Sequence, residues 1–343
     1  MRLSVALIIF GVLLTSCIPL SELSYTDPTP VVVSHTAVEL NGLTQLWSRN
    51  DVYVLALDKT LDASAGIACF VGDLGKALRY DQVVCFKSGT GEVAWKGVKA
   101  VQGLLAVTPV GIFVADLGSS YRILSALSKY DLQSGELIWQ KEFFDSNPVG
   151  LQFFDNQVQL ITWKNGQKLW LYDTDGNVLK VINNTYAFIT TPGVTYSSET
   201  GIRAVRTDTS EVLWDHVDTG ITLTPIFTRQ KIFSRSNSYS GTVYALDRNT
   251  GKLLGQIHNI VYSSNLAYSP EKQKVYALRN DGALLAIDEN TFEVNIAARF
   301  SSPLFLSIID GTAEAYEFAY DQDQHILLVL FGDSHQLFAF KEE

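Results

Sequence analysis

Clustered positive charge is absent from this sequence. Its 26 lysines and arginines face 36 aspartates and glutamates, for a net charge of -10, and nowhere do the basic residues gather into a stripe. Phosphate neutralisation dominates nucleic-acid affinity, so a chain without such a stripe is not expected to bind nucleic acid. The excess of acid reads as solubility. Histidine is sparse as well: His35, His216, His258, His325 and His335 are scattered without metal-ligand spacing. A nucleophile elbow, a phosphate-binding glycine loop and a Cys-x-x-Cys pair are all missing. Asp173, Asp175 and Asn177 imitate the start of a calcium loop, but Gly176 falls in the wrong place and no glutamate follows at the required distance. They read as a hairpin turn. No catalytic, cofactor-binding or metal-binding residue is nominated, and no cofactor is expected.

Long apolar runs are also lacking, with one exception at the start. Arg2 precedes the run Leu3–Leu14, which is short for a membrane span of roughly 20 residues but fits the core of a signal peptide. Leu14-Thr15-Ser16-Cys17 resembles the bacterial lipobox. The resemblance implies cleavage before Cys17 and acylation of that cysteine, and several acyl chains hold a protein on a bilayer durably. Residues 19–30 carry Pro19, Pro28 and Pro30 among serine, threonine and aspartate, and read as a flexible tether. The expected division is therefore a signal peptide over 1–16, a lipidated cysteine and tether over 17–36, and a folded body over 37–343. Ile18 is not the aspartate that resembles an inner-membrane retention signal. In a host with two membranes, outer-membrane delivery facing the periplasm is expected. In a host with one, the outer face of the cell membrane is.

What the body does contain is a repeat. An alternating strand ends near an aspartate, a short turn with glycine follows, and the next strand carries tryptophan. Clear copies are Val84–Trp95, Lys129–Trp139, Ala204–Trp214 and Val243–Gly255, with weaker ones at Leu171–Leu179 and Ala286–Val294. The turn glycine or its stand-in falls at 91, 135, 176, 210, 251 and 292, at intervals of 44, 41, 34, 41 and 41. Four short strands and their turns need about 40 residues, the period of a propeller blade. Glycine reaches positive φ at little cost. Trp47, Trp95, Trp139 and Trp214 recur at one place of the repeat, which marks them as packing between blades.

The pattern resembles the quinoprotein-dehydrogenase-like (PQQ-like) propeller repeat over about residues 40–340. With the lipobox, the layout resembles the BamB-type outer-membrane assembly lipoproteins. The resemblance implies an all-β fold of four-stranded antiparallel blades. Six hairpins are visible. Gly42–Trp47 resembles an outer strand and His335–Phe340 the strand before a turn, so pairing the two termini closes a seventh blade. Seven blades are expected, with eight as the alternative. The adjacent cysteines and channel carboxylates of the quinone enzymes are not recognisable, so the repeat implies the fold and not the cofactor.

Besides Cys17, only Cys69 and Cys85 remain. They lie in apolar strands around a loop near Ala77, which leaves two readings open: a disulfide, or two buried thiols. The leading expectation for function is a membrane-anchored, non-catalytic scaffold for protein–protein interaction at the cell envelope. The alternative is a ligand-binding or quinone- or carbohydrate-active propeller enzyme. Loops around Gly72–Asp81 and Ser301–Gln324 are the expected binding face.

Overall fold

Short runs of β-branched and aromatic residues, separated by Gly-, Asp- and Asn-bearing turns, form strands and nothing else: among the described residues all regular structure is β. The computed structural model describes residues 35–343 except 55–60, 76–81, 100–102, 117–123, 145–146, 164–165, 184–186, 198–200, 217–220, 237–240, 262–264, 302–315 and 333. Two units are separated, Met1–Val32 and Val33–Glu343. The first, with Cys17 and the apolar run before it, lies outside the described residues. No described helix is long and apolar enough to cross a membrane.

The strands form seven antiparallel sheets in chain order, the blades of a seven-bladed propeller. Blade 1 comprises Leu61–Ser64, Ile67–Leu74, Gln82–Lys87 and Val93–Lys99, with Val52–Val54 as an extra piece of its inner strand. Blade 2 runs from Leu104–Thr108 to Leu137–Phe144, and blade 3 from Asn147–Phe154 to Val178–Asn183. Blade 4 runs from Ala187–Thr191 to Val212–His216, blade 5 from Ile221–Phe227 to Leu253–His258, and blade 6 from Ala267–Ser269 to Val294–Phe300. Blade 7 takes its first three strands, Tyr316–Asp321, Ile326–Phe331 and Gln336–Glu342, from the end of the chain. Its outer strand is Leu43–Arg49, paired from Leu43↔Glu342 to Arg49↔Leu337. The ring therefore closes by joining strands from the two ends of the sequence.

Three features depart from the sequence reading. Central strands are not half-buried: all six residues of Ile326–Phe331 are buried, because a blade is covered on both faces by its neighbours. Phe70 and Phe86 of blade 1 meet Leu328 and Leu330 of blade 7 in one such layer. Each fully buried aliphatic or aromatic side chain there contributes roughly 1.5–3 kcal/mol. Second, blade 6 gains a fifth strand, Ala37–Leu40, antiparallel to Val294–Phe300. Third, part of the expected binding loops is strand: Gly72 to Leu74 closes the second strand of blade 1 and Tyr316–Asp321 is the inner strand of blade 7, while residues 76–81 and 302–315 lie outside the described residues.

Candidate functional site

In blades 1–6 the inner-to-second and third-to-outer turns share one face, the hairpin face, and blade 7 adds its inner-to-second turn to it. The third-to-outer turns are built from side chain to backbone. Asp131 Oδ1 accepts from the N–H groups of Gln133 and Ser134 and from the Ser134 hydroxyl, at 2.8–3.0 Å. Asp247 holds Asn249 and Thr250, and Asp288 holds Asn290 and Thr291, in the same way. These bonds favour the ionised form and lower each carboxyl's pKa, chiefly through the Ser134 N–H at Asp131, the Thr250 hydroxyl at Asp247 and the Thr291 N–H at Asp288. Asp173 is lowered in the same sense by the Asn177 side chain. Asp173 and Asn177 close on each other across their own turn, with Asp175 donating its N–H inward. The group is a hairpin turn, and no described cluster of His, Cys, Asp or Glu could hold a metal ion.

Each outer-strand tryptophan lies over the turn of the next blade. Its indole N–H donates to a turn carbonyl: Trp47 to Ser88 at 2.8 Å, and Trp95, Trp139 and Trp214 to Leu132, Thr174 and Arg248 at 3.1 Å. Glycine is required beneath the ring. A β-carbon on Gly91, Gly135 or Gly251 would come within 2.7, 2.6 or 2.3 Å of the indole, and each of these glycines has positive φ.

The remaining junctions use other chemistry, which single-motif reading missed. In blade 3, Lys180 pairs across from Leu171 as Trp95 pairs across from Cys85. Its ammonium donates to Thr207 O of blade 4 at 3.2 Å, and Ser210, at φ 59°, stands where the turns of blades 1, 2, 3 and 5 have glycine. Between blades 5 and 6 the partners are exchanged. Gly255 occupies the tryptophan place, and the Phe292 ring of the next turn fills the space above it. Between blades 6 and 7 no indole is present. There the segment 35–41 crosses the seam: the Asn41 side chain donates to Ile296 O at 3.1 Å, and Gln336 brackets the His35 backbone at 2.6 and 3.2 Å.

A register shift in the outer strands, such as that between Leu171 and Tyr172 opposite Lys180 and Val178, sets two consecutive side chains at the edge. In blades 2–5 these are Leu137-Ile138, Val178-Leu179, Val212-Leu213 and Leu253-Leu254, all between 38% and 54% exposed. An arc of paired aliphatics thus lines the rim of the hairpin face. Exposed aliphatics grouped in pairs and repeated blade after blade, unlike single ones scattered over a surface, form the candidate contact surface.

Carboxylates near the ring's inner strands are occupied by protein donors. Glu317 accepts from Leu61 N at 2.7 Å, Asp321 from Gly66 N at 2.9 Å and Asp62 from Val107 N at 2.8 Å, bridging blades 7, 1 and 2. Glu342 is buried and receives the hydroxyls of Tyr276, Tyr320 and Ser269. Burial pushes both tyrosines up, and the carboxylate adds to the shift. Asp321 is likewise raised by burial, against the hydrogen bonds it accepts. Cys69 and Cys85 are fully buried, face each other across the central strands of blade 1 and have sulfurs 2.02 Å apart.

A closed ring of seven antiparallel sheets built on four strands each, with four of its junctions stitched hairpin to hairpin by indoles, defines a repeat-built β-propeller. The sequence profile of the family described as Outer membrane protein assembly factor BamB matches residues 36–254 and 125–298, so the chain belongs to that family. Among solved structures, BamB from Moraxella catarrhalis superposes with a TM-score of 0.53 at 14% identity, covering 87% of this chain and 99% of that one. The β-propeller domain of Myceliophteria thermophila Cps50 (Swd1) superposes with a TM-score of 0.59 at 13% identity, covering 90% and 99%. At these identities the likeness is one of fold. No curated protein matches the sequence.

Proposed function

We propose that this chain is a non-catalytic scaffold for protein–protein interaction at the cell envelope, held to a membrane by acyl chains on Cys17. The observation that carries the interaction role is the arc of exposed aliphatic pairs on blades 2–5, presented by a ring stiffened through its side-chain docks. A rigid ring with a repeated apolar rim suits recognition of extended or multi-domain partners. The buried carboxylates Glu317, Asp321 and Glu342 are engaged by donors of the protein itself, which favours a structural use for them. Membership of the BamB family supports protein partners in the envelope. The lipobox-like Leu14–Cys17 supports the anchor, and Ile18 supports outer-membrane delivery facing the periplasm in a host with two membranes. In a host with one membrane the ring stands on the outer cell face.

The test is made in the native host. Wild-type chain is expected in the membrane fraction with an acylated Cys17 by mass spectrometry, and Cys17→Ala is expected to move it to the soluble fraction. Detergent extraction of the wild type is expected to recover a partner protein in fixed ratio. A soluble wild-type chain with an unmodified N-terminus would overturn the anchor, and a chain purified without any partner in fixed ratio would overturn the scaffold.

A further inference from the structure

Four junctions of the ring share one lock: an indole from one blade, laid on a glycine turn of the next and bonded to a turn carbonyl. Phenylalanine fills the same space between blades 5 and 6, and the segment 35–41 covers the seam between blades 6 and 7. The seam between blades 3 and 4 has neither. Lys180, an exposed and flexible chain, reaches Thr207 O in place of the indole N–H, and Ser210 replaces the glycine. Four exposed aliphatics border this seam: Val178 and Leu179 from blade 3, Val212 and Leu213 from blade 4.

From this we propose that the seam between blades 3 and 4 docks an aromatic side chain of a partner protein, carried on a segment that also bears positive charge. The inference deepens the scaffold reading and rests on it. The aromatic requirement comes from the molecule's own template, since at four junctions this place takes an indole. An incoming ring would lie on the Lys180 stem, its N–H or O–H taking the Thr207 carbonyl. Ser210 has a β-carbon that Gly91, Gly135 and Gly251 lack, so the ring sits further out here than in the internal docks. A lysine bond made at the surface contributes little and is readily exchanged, and the displaced ammonium can face the ring. The charge requirement comes from the turns. Asp208 stands exposed on the blade 4 turn beside Thr207, and Asp175 on the blade 3 turn, where Lys129 and Lys141 also approach, while Glu211 is paired with Arg206 at 3.1 Å. A partner with lysine or arginine beside its aromatic residue complements them, and aromatic and basic residues are the usual anchors of protein interfaces.

The experiment uses the full-length chain in its own membranes, with a photoreactive benzoyl-phenylalanine at Leu179 or at Leu213. A control position is Asn183, at the far end of the same outer strand. Both seam positions are expected to cross-link one protein, through a segment containing an aromatic and a basic residue. The variant Lys180→Trp with Ser210→Gly installs the internal lock. It is expected to melt no lower than wild type and to lose about tenfold or more of the cross-link, as for removal of an anchor. Should that variant fail to fold, Leu179→Glu with Leu213→Glu is expected to give the same loss from the unlabelled flank, Val178 then carrying the photoreactive group. The inference is overturned if the cross-link persists in the locked or charged variant, if the captured segment lacks an aromatic residue, or if it belongs to a second copy of this chain. Cross-links at Asn183 alone would sink the seam and leave the scaffold standing. None at any position would sink both.

Discussion

Gly255 and Phe292 make the same inter-blade contact as Trp214 and Gly251 with the partners exchanged: the strand of blade 5 supplies the gap and the turn of blade 6 supplies the ring. A β-carbon on Gly255 would fall 2.5 Å from the Phe292 ring. Gly255→Trp alone therefore overpacks the junction and is expected to cost about 1–3 kcal/mol. Phe292→Gly alone removes a half-buried ring, at about 1–3 kcal/mol. Combined, they recreate the lock used at Trp214, and urea unfolding is expected to return a favourable coupling of about 1–3 kcal/mol. Additive losses would show that the two residues do not share a site.

Closure of the ring depends on the last strand. Without residues 337–343, Leu43–Arg49 has no partner, blade 7 loses its third strand, and both flanking layers lose a covering face. The truncated chain is expected to unfold as a whole at a much lower temperature by calorimetry. A melting profile like that of the full chain would contradict this. Glu342→Ala is the finer probe, since it leaves the Tyr276, Tyr320 and Ser269 hydroxyls without their acceptor. The expected loss is roughly 1–3 kcal/mol for each group left unpaired, with partial rescue by Glu342→Gln.

Much of this architecture was legible because its chemistry is local. Asp131, Ser134, Gly135 and Trp139 act within one hairpin, so their spacing announces the turn and the inter-blade packing together, though not the register shift between Lys129 and Tyr130. The terminal closure was legible because Trp47 keeps the repeat's signature outside the repeat's order. What was hidden is long-range. Tyr276 and Glu342 are 66 residues apart, and His35 and Gln336 are 301 apart. Nothing near either pair in the chain signals the contact. Lys180 was hidden differently. A lysine on an exposed edge is ordinary, and only alignment of its strand with three tryptophan strands shows that it occupies their place.

Cys69 and Cys85 are expected to be disulfide-bonded in the protein isolated under non-reducing conditions. They oppose each other on adjacent central strands, and both side chains are buried, which shields them from reductants while the blade is folded. Thiol titration of the unfolded chain is expected to find neither cysteine free without reductant and both free with it. Closing a loop of 16 residues contributes about 3 kcal/mol through the unfolded state. Cys69→Ala with Cys85→Ala is therefore expected to lose about that much. Two free thiols in chain isolated from its native compartment would refute the bond.

Acid is expected to loosen the exposed turns, on the hairpin face and, at Asp281, on the opposite one, before the interior. The turn carboxylates Asp131, Asp173, Asp247 and Asp288 are held below their ordinary range by the N–H and hydroxyl groups they accept, and Asp281 is brought from 3.8 to about 2, chiefly by the Arg279 side chain. A carboxyl whose pKa is lower in the folded state adds stability that is present above its unfolded value. That stability is lost as the pH falls through the folded value, so the window runs from about 4 down to about 2 for Asp281. Asp321 acts with the opposite sign: burial raises it, so its contribution declines as the pH rises above the ordinary carboxyl range. Unfolding followed from pH 7 to pH 2 is expected to show stability dropping below pH 4, and Asp281→Asn is expected to flatten part of that slope. An unchanged slope in that variant would mean that the Arg279–Asp281 pair contributes nothing to the acid limb.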